Sequence, residues 1–189
     1  MAKLVSGPAV EPVTVAEQKA FSRVEYADDD SIISGVLKAA RECAENATNR
    51  KLITQAWRHY PADLRHIVLP FAPVQAVSSV TVWDEAGAAH VLTSGCYVAD
   101  IISEPATLEV KNLHGIALRR HNPLAVEFVC GYGDSGAAVP ESIRQAIMLL
   151  AAHWYENRVA VAETALKFEE LPMGVKYLLA PYRLWGRNL

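Results

Sequence analysis

The chain has 189 residues, enough for one domain of ordinary size or a small domain carrying an insertion. Hydrophobic residues make up 51% and charged residues 21%, which allows a packed core and excludes wholesale disorder. A formal net charge of −3 and a pI near 6.1 argue against a protein that grips nucleic acid through a basic face.

The opening residues lack the apolar central segment of a signal peptide, and no apolar stretch is long enough to span a bilayer. Both features predict a protein made and kept in a cytoplasm. Cys43, Cys96 and Cys130 are widely spaced and odd in number, so they form neither a metal-ligand pattern nor a disulfide framework, and buried free thiols are expected.

The predicted order is helical, then strand-rich, then helical. Thr14 and Glu17 make a T-x-x-E capping box, which satisfies orphan amides at the start of a short helix reaching about Phe21. A connector follows over residues 23–26. Asp28, Asp29 and Asp30 open a second helix, where negative charge favours the dipole. Its stripe is Ile33, Val36 or Leu37, Ala40, Cys43 or Ala44, and Ala47, and it ends within 46–50.

The period then changes. Strands are expected at 52–60, 66–69, 77–83, 91–92, 97–102, 107–110 and 125–132, with a hairpin turn over 84–89 around Gly87. Short strands punctuated by proline and glycine predict a compact antiparallel β unit. Pro140 and Glu141 open a third helix with Ile143, Ile147, Leu150 and Trp154 on one stripe, extending to about Ala162. Residues 171–174 read as a break, and 175–179 as a final helical stretch before Pro181.

The fold class expected is therefore α+β. N- and C-terminal helices (residues 1–51 and 138–189) form a small helical bundle, and residues 52–137 form an inserted antiparallel β unit.

Motifs for chemistry are weak. Gly131-Tyr132-Gly133-Asp134-Ser135-Gly136 spells G-x-G-x-x-G between a strand and a helix. A dinucleotide site would need the third glycine inside the helix start, and here Ala137, Ala138 and Val139 intervene before Pro140. A flexible glycine turn is the expected role. None of the six histidines belongs to an H-E-x-x-H motif, and His153 with Glu156 gives the reverse of the Glu-x-x-His order used in di-metal bundles. There is no G-x-S-x-G nucleophile elbow. No catalytic residue, cofactor or metal is expected.

The C-terminal residues differ. Tyr182, Arg183, Leu184, Trp185 and Arg187 concentrate the residue types that dominate interface hot spots, which points to docking on a partner.

Several stretches share one order and spacing. Pro12-Val13-Thr14-Val15-Ala16-Glu17 precedes Asp28-Asp29-Asp30-Ser31-Ile32-Ile33 and Ala39-Ala40-Arg41-Glu42. Leu52-Ile53-Thr54-Gln55-Ala56-Trp57 leads to Leu69-Pro70 and Pro73-Val74. Gly131-Tyr132-Gly133, Val139-Pro140, Ile143-Arg144-Gln145-Ala146 and His153-Trp154-Tyr155-Glu156-Asn157-Arg158 follow, then Leu171-Pro172-Met173-Gly174-Val175 and Leu178-Leu179-Ala180-Pro181-Tyr182-Arg183. From Pro12 to Arg183 this series resembles the head–tail connector family of long-tailed bacteriophages, prophages and gene transfer agents.

The resemblance implies a non-enzymatic adaptor in the neck of a virion. Such proteins form a ring, commonly twelve-fold, beneath the portal protein, extend the DNA channel without binding DNA specifically, and carry a stopper or tail-completion protein. It implies portal docking through Arg183, Leu184, Trp185 and Arg187. Ring formation needs a heterologous interface. The second and third helices are the candidates, with Arg144, Tyr155 and Arg158 meeting a neighbour. The alternatives are another neck protein, a stopper or tail-completion protein, or a ligand-binding or hydrolytic enzyme using the β unit.

Overall fold

The computed structural model describes residues 1–64, 66–157 and 173–184. It opens on a strand that the sequence pattern does not announce: β1, Ala2–Ser6. Three apolar positions without clear alternation carry no strand signal of their own. β1 exists because it pairs antiparallel with β2, Gln55–His59, along the sheet edge.

Helix α1, Val15–Ser22, starts at the expected capping box: the Thr14 hydroxyl accepts from the Glu17 N–H, and the Thr14 N–H donates to Glu17 Oε2 at 2.8 Å. It stops at Arg23, in the left-handed conformation. Helix α2, Asp30–Thr48, buries Ile33, Leu37, Ala40 and Ala44, which resolves the two open choices in its stripe; Val36, Cys43 and Ala47 flank that line, half-buried. Arg41 and Glu45 lie on the same buried side, which an apolar stripe does not foretell.

The strand order of the main sheet is β1-β2-β8-β4-β5, with every neighbouring pair antiparallel. Here β4 is Val74–Trp83, β5 is Ala89–Val91 and β8 is Leu124–Cys130. The hairpin between β4 and β5 turns at Gly87, whose φ of 86° favours glycine. A second antiparallel sheet runs β3-β7-β6, from β3, Ile67–Val68, β6, Tyr97–Asp100, and β7, Thr107–Val110. Val80, Val82, Val126 and Phe128 of the main sheet and Ile67 and Leu108 of the second share one buried cluster.

Helix α3, Glu141–Glu156, follows Pro140 and buries Ile143, Ala146, Ile147, Leu150 and Ala151; its expected stripe member Trp154 is half-buried. The further extension to Ala162 falls outside the described residues, apart from Asn157, which caps the helix. Helix α4, Met173–Leu179, begins two residues earlier than expected, so Met173 and Gly174 belong to the helix and not to a break.

A second buried cluster joins α2, α3 and α4: Ile33, Leu37, Ala40, Ile147, Leu150, Val175 and Leu179, with Val13 at its entrance. Leu52 and Ile53 also pack there rather than in the sheet, and β2 accordingly starts at Gln55, three residues later than expected. The chain is α+β, helices beside antiparallel sheets, as its periodicities imply.

Candidate functional site

The C-terminal segment leaves the helical core at a defined point. Val175 and Leu179 are buried, and Pro181 converts the end of α4 into a 3-10 turn over Ala180–Tyr182. Helix α2 ends at Asn49 in the left-handed conformation, leaving its last carbonyls without helical partners. The tail supplies one: the Leu184 N–H donates to the Thr48 carbonyl at 3.1 Å.

Arg50 secures the same point. Its Nε donates to the Tyr182 carbonyl at 2.6 Å, and its two terminal nitrogens fork onto Glu104, the Nη1–Oε1 distance being 2.9 Å. Burial opposes the charge on Arg50, but Glu104 and the Tyr132 hydroxyl hold its pKa above the ordinary value. One guanidinium therefore ties together the end of α2, the root of the tail, the loop after β6 and the turn after β8. Nothing in the sequence marks Arg50, because Glu104 and Tyr182 are remote from it along the chain. Arg50→Lys keeps the charge but loses the planar fork. Arg50→Ala is expected to cost about 1–3 kcal/mol, and in both variants the Leu184 amide should exchange with solvent faster than in the wild type.

Of the predicted docking residues, Arg183 is exposed and its N–H donates to the Ala180 carbonyl at 3.3 Å, while Leu184 is half-buried. Trp185 and Arg187 lie outside the described residues, as does Arg158 of the predicted ring set. Arg144 and Tyr155 are at opposite ends of α3. Arg144 donates to the Pro12 carbonyl at 3.0 Å and to Glu141 at 2.8 Å, and pairs with Glu17. The Thr14 amide and hydroxyl, with Arg144, hold the Glu17 carboxyl below its usual range. The Tyr155 hydroxyl donates to Asp29 at 2.6 Å and lies 3.3 Å from that of Tyr26; the Asp29 bond is the main cause raising its pKa.

The glycine-rich turn has a packing role. A Cβ on Gly131 would lie 2.6 Å from the Ile53 backbone, one on Gly133 2.8 Å from the Ala138 Cβ, and one on Gly136 2.4 Å from the Pro12 carbonyl. Gly131 and Gly136 let segments of backbone pass close together, Gly133 leaves room for the Ala138 side chain, and Gly136 opens a 3-10 turn, Gly136–Ala138, that precedes α3.

The thiols are free: Cys96 and Cys130 are buried and Cys43 half-buried, and burial pushes the Cys130 thiol up to about 12. His153 holds Asn157 at the end of α3. Among the described residues, no group of three or more His, Cys, Asp and Glu could hold a metal, and no helix is long and apolar enough to cross a membrane.

A network of buried charge has no signature in the local sequence pattern. Glu45 Oε2 lies 2.9 Å from Lys51 Nζ and 3.3 Å from Arg41, while Oε1 accepts from Gln55 Nε2 at 2.9 Å and the Leu52 N–H at 3.2 Å. The Lys51 ammonium sits 4.9 Å from the Trp57 ring centre and 4.7 Å from that of Phe71. Above this network opens a cleft of about 530 Å³ between β1 and α2.

The model of a family described as head completion protein matches residues 11–184. No curated protein matches the chain significantly. A chain from the neck of an empty gene transfer agent particle, computed with C6 symmetry, is 27% identical with a TM-score of 0.77, over 100% of this chain and 97% of that one. A chain from the virion of the native particle is 25% identical with a TM-score of 0.75, and one from the native neck, computed with C12 symmetry, is 25% identical at 0.74; both cover 100% of this chain and 97% of theirs.

Proposed function

This chain belongs to the head completion protein family, and from that premise we propose that it is one protomer of a ring beneath the portal of a phage or gene transfer agent particle. It is a structural, non-enzymatic protein of the head–tail neck. The observation that carries the finer reading is the full-length likeness to chains of a neck computed with C6 or C12 symmetry. Twelve copies around the DNA channel fit that symmetry. The ring extends the channel below the portal and offers its far side to a stopper or tail-completion protein. The protomers are made in the host cytoplasm and end in the virion.

A mildly acidic protomer suits a channel that must release DNA, since cationic patches would add salt-dependent drag. The exposed sides of α2 and α3 are the proposed ring faces. Tyr155 and Arg158 meet the neighbour there. Arg144, committed to Glu17, Glu141 and Pro12, supports this face by fixing the α1–α3 junction behind it.

The proposed portal contact is the tail from Arg183 through Leu184, Trp185 and Arg187. Its root, at Tyr182 and Leu184, is held by Arg50 and Thr48. Deleting residues 183–189 removes the Leu184 bond to Thr48, worth about 1 kcal/mol, but leaves Val175 and Leu179 in the core. The truncated protein should therefore fold, while its capture by portal-bearing capsids drops roughly thirtyfold or more, the scale of one hot-spot residue. Undiminished capture, measured by co-sedimentation with tailless capsids, would remove the tail from the portal contact.

A further inference from the structure

The N-terminal strand stands apart from both hydrophobic cores. Among the described residues, β1 has one neighbouring strand, β2, and none of its residues belongs to either buried cluster or packs on its edge. Leu4 and Val5, at the bulge where the β1–β2 register shifts, are 53% and 54% exposed. β1 is held by backbone hydrogen bonds, by the terminal amine, which donates to the Tyr60 carbonyl at 3.0 Å, and by the Lys3 ammonium 5.9 Å from the Tyr60 ring centre, all of them contacts with β2 or the residue after it.

The connection to α1 has the features of a hinge. Gly7, Pro8 and Glu11 line the near side of the 530 Å³ cleft, and Lys38, Glu42 and Asn46 of α2 line the far side, so this stretch spans open space. Its far end is clamped. Val13 is buried in the helical core, the Pro12 carbonyl takes Arg144 Nε at 3.0 Å and closely abuts Gly136, and Glu11 pairs with the buried Arg41 at 2.7 Å. The molecule thus has an arm with a fixed root and a lightly held strand at its tip.

We propose that in the assembled ring this arm is exchanged: β1 of each protomer pairs with β2 of the adjacent copy. The inference rests on the ring reading above. Exchange replaces every β1–β2 hydrogen bond with an identical one from the neighbour, so little is lost. A short hinge bearing proline favours the open form over the closed one. The five residues 7–11 span at most about 17 Å when extended, so only an adjoining copy is in reach. Each arm then adds a second tether between neighbours already in contact, and the contact strengthens through effective concentration.

Lys3 and Arg58 are opposite each other in the β1–β2 register, which supplies the test. The variant carrying both Lys3→Cys and Arg58→Cys is oxidised gently, first as purified monomer and then within assembled necks, and run on a denaturing gel without reductant. The monomer should close on itself, showing that the fold and register are intact. In the neck, a ladder of covalently joined protomers is expected, absent from either single variant and collapsed by reductant. Internally closed monomers, or no cross-link, in necks that do contain the protein would overturn the exchange and leave the ring reading standing. Necks that lack the protein altogether would overturn both.

Discussion

Glu45→Ala should lower the unfolding free energy by about 3–5 kcal/mol, the cost of breaking a buried ion pair from one side. Glu45 is 3% exposed and engages four groups at once: Arg41, Lys51, the Gln55 amide and the Leu52 N–H. Without its carboxylate, Lys51, itself 7% exposed, loses its ion pair and rests against the faces of Trp57 and Phe71. The buried Leu52 N–H loses its acceptor, an added penalty. For a chain of this length the change is a fall in Tm of about 6–20 °C. Glu45→Gln retains an acceptor for Leu52 and Gln55 but not the charge, so it should fall between. Urea unfolding followed by circular dichroism checks the order; a loss under about 1 kcal/mol, the scale of an exposed pair, would show that this network does not stabilise the junction between α2 and β2.

Gly131→Ala should be of similar severity for a different reason. Gly131 follows β8 with a φ of 134°, and an added Cβ would sit 2.6 Å from the Ile53 carbonyl carbon and oxygen and 2.7 Å from the Thr54 nitrogen. Those neighbours are backbone and are pinned: the Tyr132 N–H donates to Leu52, the Thr54 N–H to Gly133, and the Gly131 N–H to Pro73. Strain in φ and overpacking each cost about 1–3 kcal/mol, so the sum is roughly 2–6 kcal/mol. Gly35→Ala is the control. That glycine lies inside α2 with nothing within 4 Å of the added atom, and the substitution should stabilise by about 0.5–1 kcal/mol. If the two alanines behaved alike, the close crossing at Gly131 would not be a determinant of the fold.

Both sites lie where the helices meet the sheets, and both serve the proposed role. Glu45 joins α2 to β2 by buried charge, Gly131 lets the turn after β8 cross the segment before β2 at close backbone contact, and Arg50 ties the end of α2 to the loop after β6 by a forked hydrogen bond.

Local signals in the chain determined most of its elements. The Thr14 and Glu17 box starts α1 because a capped amide is a nearest-neighbour interaction, complete within four residues. The period of Ile143, Ile147 and Leu150 marks the buried side of α3 for the same reason. The order and spacing of its motifs also carried its family, since these reflect descent more than energy. Tertiary structure alone decided the rest. β1 is a strand only because β2 lies beside it. Leu52 and Ile53 look like strand residues and pack with helices. Arg50 and Glu104 are 54 positions apart, and Glu45 is one acid among many until folding brings it to Lys51 and Gln55. Pairing of remote charges and the outer edge of a sheet depend on which segments meet in space, and a periodicity within one segment holds no record of that.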